Sequence, residues 1–192
     1  NITPPNLPKF TKITTVEDSP HSPGTAYVVG HRFLMDDFKP IAWKTSDYGK
    51  TWVEIATGLP ADEMARSIRE DVKRPGLLYL GTERGVWASF DGGSAWHKLQ
   101  ANLPVVQVSD LAMTDHDLVI STHGRSFWVM DNIDVLRQVQ AAAMPETRLF
   151  APAPAVRAVD SGVAIDYYLK AAPKSLGIAI FGPDGALIQR FE

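Results

Sequence analysis

Thr45-Ser46-Asp47-Tyr48-Gly49-Lys50-Thr51-Trp52 and Ser89-Phe90-Asp91-Gly92-Gly93-Ser94-Ala95-Trp96 are two copies of one pattern. Each reads hydroxyl, any residue, Asp, any residue, Gly, two further residues, Trp. The two tryptophans stand 44 positions apart, and a Leu-Pro pair begins seven residues after each, at Leu59-Pro60 and Leu103-Pro104. Working outward, Leu78-Tyr79-Leu80-Gly81-Thr82 recurs 40 positions later as Leu118-Val119-Ile120-Ser121-Thr122. Gly85-Val86-Trp87-Ala88-Ser89-Phe90-Asp91 is echoed by Arg125-Ser126-Phe127-Trp128-Val129-Met130-Asp131. Tyr27-Val28-Val29-Gly30 and Ile41-Ala42-Trp43-Lys44-Thr45-Ser46-Asp47 are the same two segments met earlier, around a longer insertion. Self-similarity at roughly 40–45 residues means one supersecondary unit used several times.

In the second unit the parts of that repeat separate cleanly. Ala65 to Glu70, Leu77 to Gly81, Val86 to Phe90 and Trp96 to Leu99 are short runs with β-branched and aromatic residues, bounded by Gly, Pro and Asp. Such runs read as strands. Four short strands at this period make a β-propeller blade. Asp91-Gly92-Gly93 turns between the third and fourth strands: Gly accepts positive φ, and the Asp carboxylate takes N–H groups of the turn. Trp52 and Trp96 are expected to wedge between adjacent blades, where a large aromatic buries most area. Trp43, Trp87 and Trp128 fall in third strands and are expected in the same interblade core.

The two motifs resemble the Asp-box, or BNR, repeat, at Thr45, Asp47, Gly49, Thr51 and Trp52 and again at Ser89, Asp91, Gly93 and Trp96. The second copy departs mildly, with Ala95 where Thr is usual. The repeat occurs in sialidases, xyloglucanase-type glycoside hydrolases, sortilin-like receptors and photosystem assembly factors. Leu77 to Trp87 and Thr122 to Asp131 look like the secreted bacterial propellers called BNR-repeat glycosyl hydrolases. The resemblance covers roughly residues 7–150. It implies a propeller scaffold, an extracellular or periplasmic location, and a carbohydrate or polypeptide ligand. It speaks for fold more than for activity, since its hosts span enzymes and receptors.

The domain plan follows. Residues 1–150 are expected to hold about three four-stranded blades, 151–160 a Pro/Ala linker, and 161–192 part of an immunoglobulin-like β-sandwich; the fold class is all-β. Beyond the linker, Val163 to Leu169, Gly177 to Phe181 and Ala186 to Phe191 read as strands. The last two are joined by the Gly182-Pro183-Asp184-Gly185 turn. After Asp131 the Asp motif is missing. Ile133 to Val139 has apolar residues at helical spacing, with Asp131 or Asn132 as cap. Leu149-Phe150 is expected to be a brief fourth strand. Leu7-Pro8 stands where a Leu-Pro follows a blade, so residues 1–6 read as the tail of a fourth strand. A closed propeller takes about 4–8 blades, so the expected partners include missing propeller blades or a second chain.

Composition narrows the function classes. The chain has 192 residues, 45% of them hydrophobic and 21% charged, with 19 Lys+Arg against 22 Asp+Glu and no cysteine. A net charge of −3 leaves no electrostatic footprint for nucleic acid. No apolar run approaches the roughly 20 residues of a membrane span. Without cysteine there is no disulfide and no zinc-thiolate site. This counts against the alternative of a sortilin-like peptide-binding receptor, since that resemblance implies a disulfide-rich module next to the propeller. No calcium loop or phosphate loop motif occurs, and neither a cofactor nor a metal is expected.

The candidate site comes from chain direction. Strands alternate, so the loops joining second to third strands share one face with the loops joining blade to blade. The Asp motifs lie on the other. The second-to-third loops carry His31 and Arg32, Glu83 and Arg84, and His123 and Arg125; the insertion adds Asp36 and Asp37, and the blade connection adds Asp62 and Glu63. Phe33 and Phe38 are exposed-aromatic candidates on the insertion. Arginines suit bidentate recognition of carboxylates, and a carboxylate pair about 5–9.5 Å apart suits glycoside hydrolysis. Asp47 and Asp91 read instead as turn-formers. An Asp47→Ala variant is therefore expected to unfold at lower urea concentration than the wild type while leaving ligand affinity unchanged; equal urea midpoints would refute this.

Overall fold

A computed structural model describes residues 2–139, 147–153 and 162–192. They group into two compact units, Asn1–Ala141 and Ala142–Glu192. The first unit is a partial β-propeller of three consecutive antiparallel sheets. Blade 1 has the strands β1 (Lys12–Asp18), β2 (Ala26–Arg32), β3 (Asp37–Thr45) and β4 (Val53–Glu54). Blade 2 has β5 (Ala65–Glu70), β6 (Leu78–Thr82), β7 (Val86–Ser89) and β8 (His97–Lys98). Blade 3 has β9 (Val108–Met113), β10 (Leu118–Thr122) and β11 (Phe127–Met130). In every sheet the spatial order is the sequence order.

The register makes the repeat exact in space. Val28 pairs with Trp43, Leu80 with Trp87 and Ile120 with Trp128. On their other side the same three residues pair with Val16, Ile68 and Leu111. Side chains alternate between faces along a strand, so each blade has two apolar faces. Tyr27, Val29, Ala42 and Ile55 of blade 1 bury against Ile68, Leu78, Leu80 and Trp96 of blade 2, with Trp87 packed alongside. Tyr79, Val86 and Ala88 of blade 2 bury against Leu111, Leu118 and Ile120 of blade 3, with Trp128 alongside. β6 reads Leu-Tyr-Leu-Gly-Thr without alternation because it is buried on both sides.

The two Asp turns tie this packing to the loops. Asp47 accepts hydrogen bonds from the Thr51 N–H at 2.8 Å and the Thr51 hydroxyl at 2.7 Å, and the Thr45 hydroxyl both donates to Asp47 and accepts from the Gly49 N–H. Asp91 accepts from the N–H groups of Ser94 and Ala95 at 3.0 and 2.9 Å and from the Ser89 hydroxyl at 2.8 Å. Ala95 thus retains the backbone bond and forgoes only the hydroxyl bond that Thr51 makes. These donors hold Asp47 below the usual carboxylate range, the Thr51 N–H first. At Asp91 burial pushes upward, but the Ala95 N–H and the Ser89 hydroxyl outweigh it and hold the group low as well.

Each turn also grips the preceding segment. Trp96 is buried, and its indole N–H donates to the Ile55 carbonyl at 2.6 Å. A Cβ on Gly93 would stand 2.7 Å from Cβ of Ile55. Trp52 repeats the bond with the Ile2 carbonyl at 2.8 Å, and a Cβ on Gly49 would stand 2.7 Å from Cβ of Ile2. Trp52 itself is only half-buried.

Two expectations need correction. Blade 3 has no fourth strand among the described residues. Leu149-Phe150, expected to supply it, belongs to the second unit: Leu149 ends β12 (Thr147–Leu149), which pairs with β13 (Tyr167–Leu169), and the Phe150 N–H donates to the Asp166 carbonyl. The short helix forms as α1 (Asp134–Gln138), yet neither Asp131 nor Asn132 caps it. Ile133 stands at the cap without a side-chain bond, and its N–H donates instead to the His116 carbonyl. The turn 115–117 meets this helix. Nδ1 of His116 lies 2.5 Å from Oδ2 of Asp134, and Arg137 joins Asp134 to the fully buried carboxylate of Asp71. These partners bind α1 to the edge of blade 2.

In the second unit β14 (Ile178–Phe181) and β15 (Leu187–Phe191) form the expected hairpin, and Asp184 accepts from the Ala186 N–H inside the turn. The strand expected from Val163 forms only over Tyr167–Leu169. Of the linker, 151–153 have no regular structure and 154–160 lie outside the described residues.

Gly93 has φ +98° with Ile55 against it, so Gly93→Ala is expected to cost about 1–3 kcal/mol. Gly58, with φ +91° but open space, isolates the backbone part of that cost in a parallel Gly58→Ala urea melt. Gly93→Ala should be the more destabilising of the two.

Candidate functional site

The insertion of blade 1 is a bulged crossing from β2 to β3. It holds a single 3₁₀ turn, Phe33–Met35, closed by Asp36 in left-handed conformation at φ 55°. The register slips between Gly30 and Arg32; Phe33 leaves the sheet in the 3₁₀ turn, and Phe38, the second residue of β3, is exposed. The two rings meet edge to face, with centroids 6.2 Å apart and planes at 76°. They form one wall of a cleft of about 360 Å³ whose other walls are Asp62, Met64, Glu83 and Arg84. Apolar lining with a few convergent charges is the usual anatomy of a ligand site.

The charges on this rim are paired. Arg84 meets Asp62 at 2.6 Å with both side chains about half exposed. Glu83 receives Nε and Nη2 of Arg66 at 2.9 and 2.6 Å. Arg32 meets Asp37 at 2.6 Å and also donates to the Lys9 carbonyl. Glu63 is buried and accepts the Thr82 hydroxyl at 2.7 Å. Asp36 is exposed. A guanidinium paired with a carboxylate still has N–H donors to offer a ligand.

Of the residues expected on this face, Glu83, Arg84 and Asp62 come together with Phe33 and Phe38. Arg32 and Asp37 form their own pair at the base of the insertion. His123 and Arg125 are exposed on the next blade's loop and do not line the cleft. His31 is buried and accepts the Phe33 N–H on Nδ1 at 3.3 Å. Burial, and after it the charges of Arg66 and Lys12, hold its imidazole below the ordinary histidine range. It is the neutral prop of the aromatic insertion.

Met64 lines the cleft and Arg66 bonds its Glu83, and nothing in the sequence marks either for that place. Arg66 points to Glu83 because β5 has a bulge between Ala65 and Ser67, for which the sequence has no marker. Arg69 bridges Glu17 of β1 at 3.2 Å and Asp110 of β9 at 2.8 Å, stitching the first strands of all three blades. Glu17 is raised above the usual carboxylate range, chiefly by burial, against the pull of Arg69.

The pH dependence of His31 has a definite sign. A base whose pKa is depressed on folding contributes stability that is complete above its unfolded value, here 6.5, and is lost as pH falls below it. The wild type should therefore lose stability on going from pH 7.5 to pH 5 (conditions chosen about one unit or more to either side of the unfolded value). In His31→Gln that part of the slope should vanish; an unchanged slope in urea melts would count against it.

No family model matches the chain, and no curated protein matches it. Solved structures similar to it include the GH74 enzyme of Niastella koreensis, at 14% identity and TM-score 0.49, covering 62% of this chain and 21% of that one. The GH74 xyloglucanase from Xanthomonas campestris matches at 16% identity and TM-score 0.47, over 73% of this chain and 25% of that one. YCF48 bound to D1 peptide matches at 19% identity and TM-score 0.45, over 63% and 36%. The chain thus spans about a fifth to a third of the length of these structures.

Proposed function

We propose that this chain is part of an Asp-box propeller that binds a carbohydrate or polypeptide ligand at the loop-face cleft of blades 1 and 2. The observation that carries the reading is the Phe33–Phe38 pair facing Arg84–Asp62 across an apolar cleft with Met64 at its wall. The aromatic edge and Met64 take an apolar group. The half-exposed Arg84 keeps donors free for a carboxylate or a hydroxyl, since one guanidinium has five N–H groups and Asp62 cannot occupy them all. At this cleft Asp62 and Glu83 each meet an arginine, and the half-exposed Arg84 is the charged group presented to a ligand.

The Asp turns act in this reading as structural clasps, away from the ligand. An extracellular or periplasmic location belongs to the same proposal, as does an immunoglobulin-like role for residues 161–192. Among the described residues no helix is long and apolar enough to cross a membrane.

Glycan and peptide arrays, followed by titration of the best hit, test the proposal. Phe33→Ala and Arg84→Ala should each weaken binding about tenfold or more. Asp91→Ala should lower stability and leave affinity unchanged. Wild-type protein that binds neither array, or a Phe33→Ala variant of undiminished affinity, would overturn it.

A further inference from the structure

We infer that His31 is a positioning residue of the loop-face cleft: its neutral imidazole fixes the aromatic wall, and proton uptake there releases it, so that ligand binding weakens as pH falls. This rests on the cleft being the binding site. The ring is 6% exposed, at the end of β2. Its Nδ1 accepts the Phe33 N–H at 3.3 Å. Phe33 opens the 3₁₀ turn, and Arg32, the residue at that turn's cap, makes no side-chain bond to it. The first N–H of the turn is therefore anchored on the imidazole. The same turn carries the Phe33 ring, which packs on Phe38 to wall the cleft. The imidazole also feels the charge of Arg66, whose Nε and Nη2 hold Glu83, and Glu83 lines the cleft as well. Both sides of the site thus reach back to one buried ring.

The chemistry of that ring makes the anchor conditional. With Nδ1 accepting, the neutral ring carries its proton on Nε2. A proton added at Nδ1 meets the Phe33 N–H donor to donor, and the bond is lost. The new charge also lies among groups that oppose it. Lys12 of β1, paired across the ladder with His31, and Arg66 of β5 repel it. Glu83, in the loop after β6, attracts it but is already held by Arg66. Arg32 and Asp37, the charged neighbours on the insertion, are taken up with each other. The ligand needs the turn in place, whereas the proton needs it displaced, so the two compete. By the same linkage a bound ligand lowers the pH at which His31 titrates.

Nuclear magnetic resonance of the whole chain tests this between about pH 7.5 and about pH 5, over the range in which far-UV circular dichroism is unchanged. In the free wild type the His31 ring and the Phe33 amide should titrate together with one midpoint, below the ordinary 6.5 of histidine. For the tightest-binding glycan or peptide of the arrays, the dissociation constant should rise about threefold or more across that range. His31→Asn keeps an acceptor near the Nδ1 position and cannot titrate, so its affinity for the same probe should not vary with pH. His31→Gln replaces it if the asparagine variant does not fold. A Phe33 amide that does not follow the His31 ring would overturn the inference, as would a His31→Asn variant that keeps the wild-type pH dependence. If no array member binds at about pH 7.5, the reading of the cleft as a binding site fails instead, and the Phe33 amide titration still decides whether His31 holds the turn.

Discussion

The contact on which the first unit depends is the grip of an Asp turn on the isoleucine that leaves the preceding blade. Gly93 brings the turn backbone against Ile55, and Trp96 covers that residue and takes its carbonyl. One carboxylate makes this possible. Asp91 satisfies the N–H groups of a tight turn that could not otherwise point inward without loss, and so sets the Trp ring between the sheets. Interblade packing then does the remaining work: Ile68, Leu78 and Leu80 are withdrawn from water against Tyr27, Val29 and Ala42. A sheet in such an array has no core of its own, so every blade is stable only through its neighbours.

That dependence explains where the chemistry lies. Interblade faces are apolar and the strand interiors are spent on packing. Charges collect at the strand ends, and on the loop face they sort into arginine–carboxylate pairs. The pairs at Arg84–Asp62 and Arg66–Glu83 keep the rim polar beside the aromatic insertion. The half-exposed Arg84–Asp62 pair contributes little to stability, so its interest is in what it presents to a ligand. The opposite face is organised differently. There the buried Asp71 carboxylate accepts from Arg137, from the hydroxyl of Tyr79 and from the N–H groups of Lys73 and Arg74, and it fastens α1 in place of a third Asp turn.

Reading from the sequence reached furthest where local and global demands agree. In blade 2 the strand Ala65–Glu70 has the expected ends, and β6, β7 and β8 lie within one or two residues of theirs. Gly, Pro and Asp stop each strand at a point that packing also requires. The helix at 134–138 was legible from apolar spacing, but its cap was not. The cap depends on Ile133 donating to His116 across a turn, and nothing near Asp131 or Asn132 in sequence reports that. The fourth strand of blade 3 was misassigned to Leu149-Phe150. A three-residue strand pairs with whichever edge lies nearest, and here that edge is Tyr167–Leu169.

Periodicity and spacing alone reached the repeat, the propeller class and the turn-forming aspartates. All of these follow from periodicity and from backbone chemistry that acts over a few residues. Only the tertiary structure decided which of the loop residues meet. It brought Phe33 and Phe38 to Asp62, Glu83 and Arg84, left His123 and Arg125 outside, withdrew His31 from solvent, and enlisted Arg66 and Arg69. The reason is physical: a one-residue bulge redirects every side chain beyond it. The bulges in β2 and β5 carry no mark in the sequence around them.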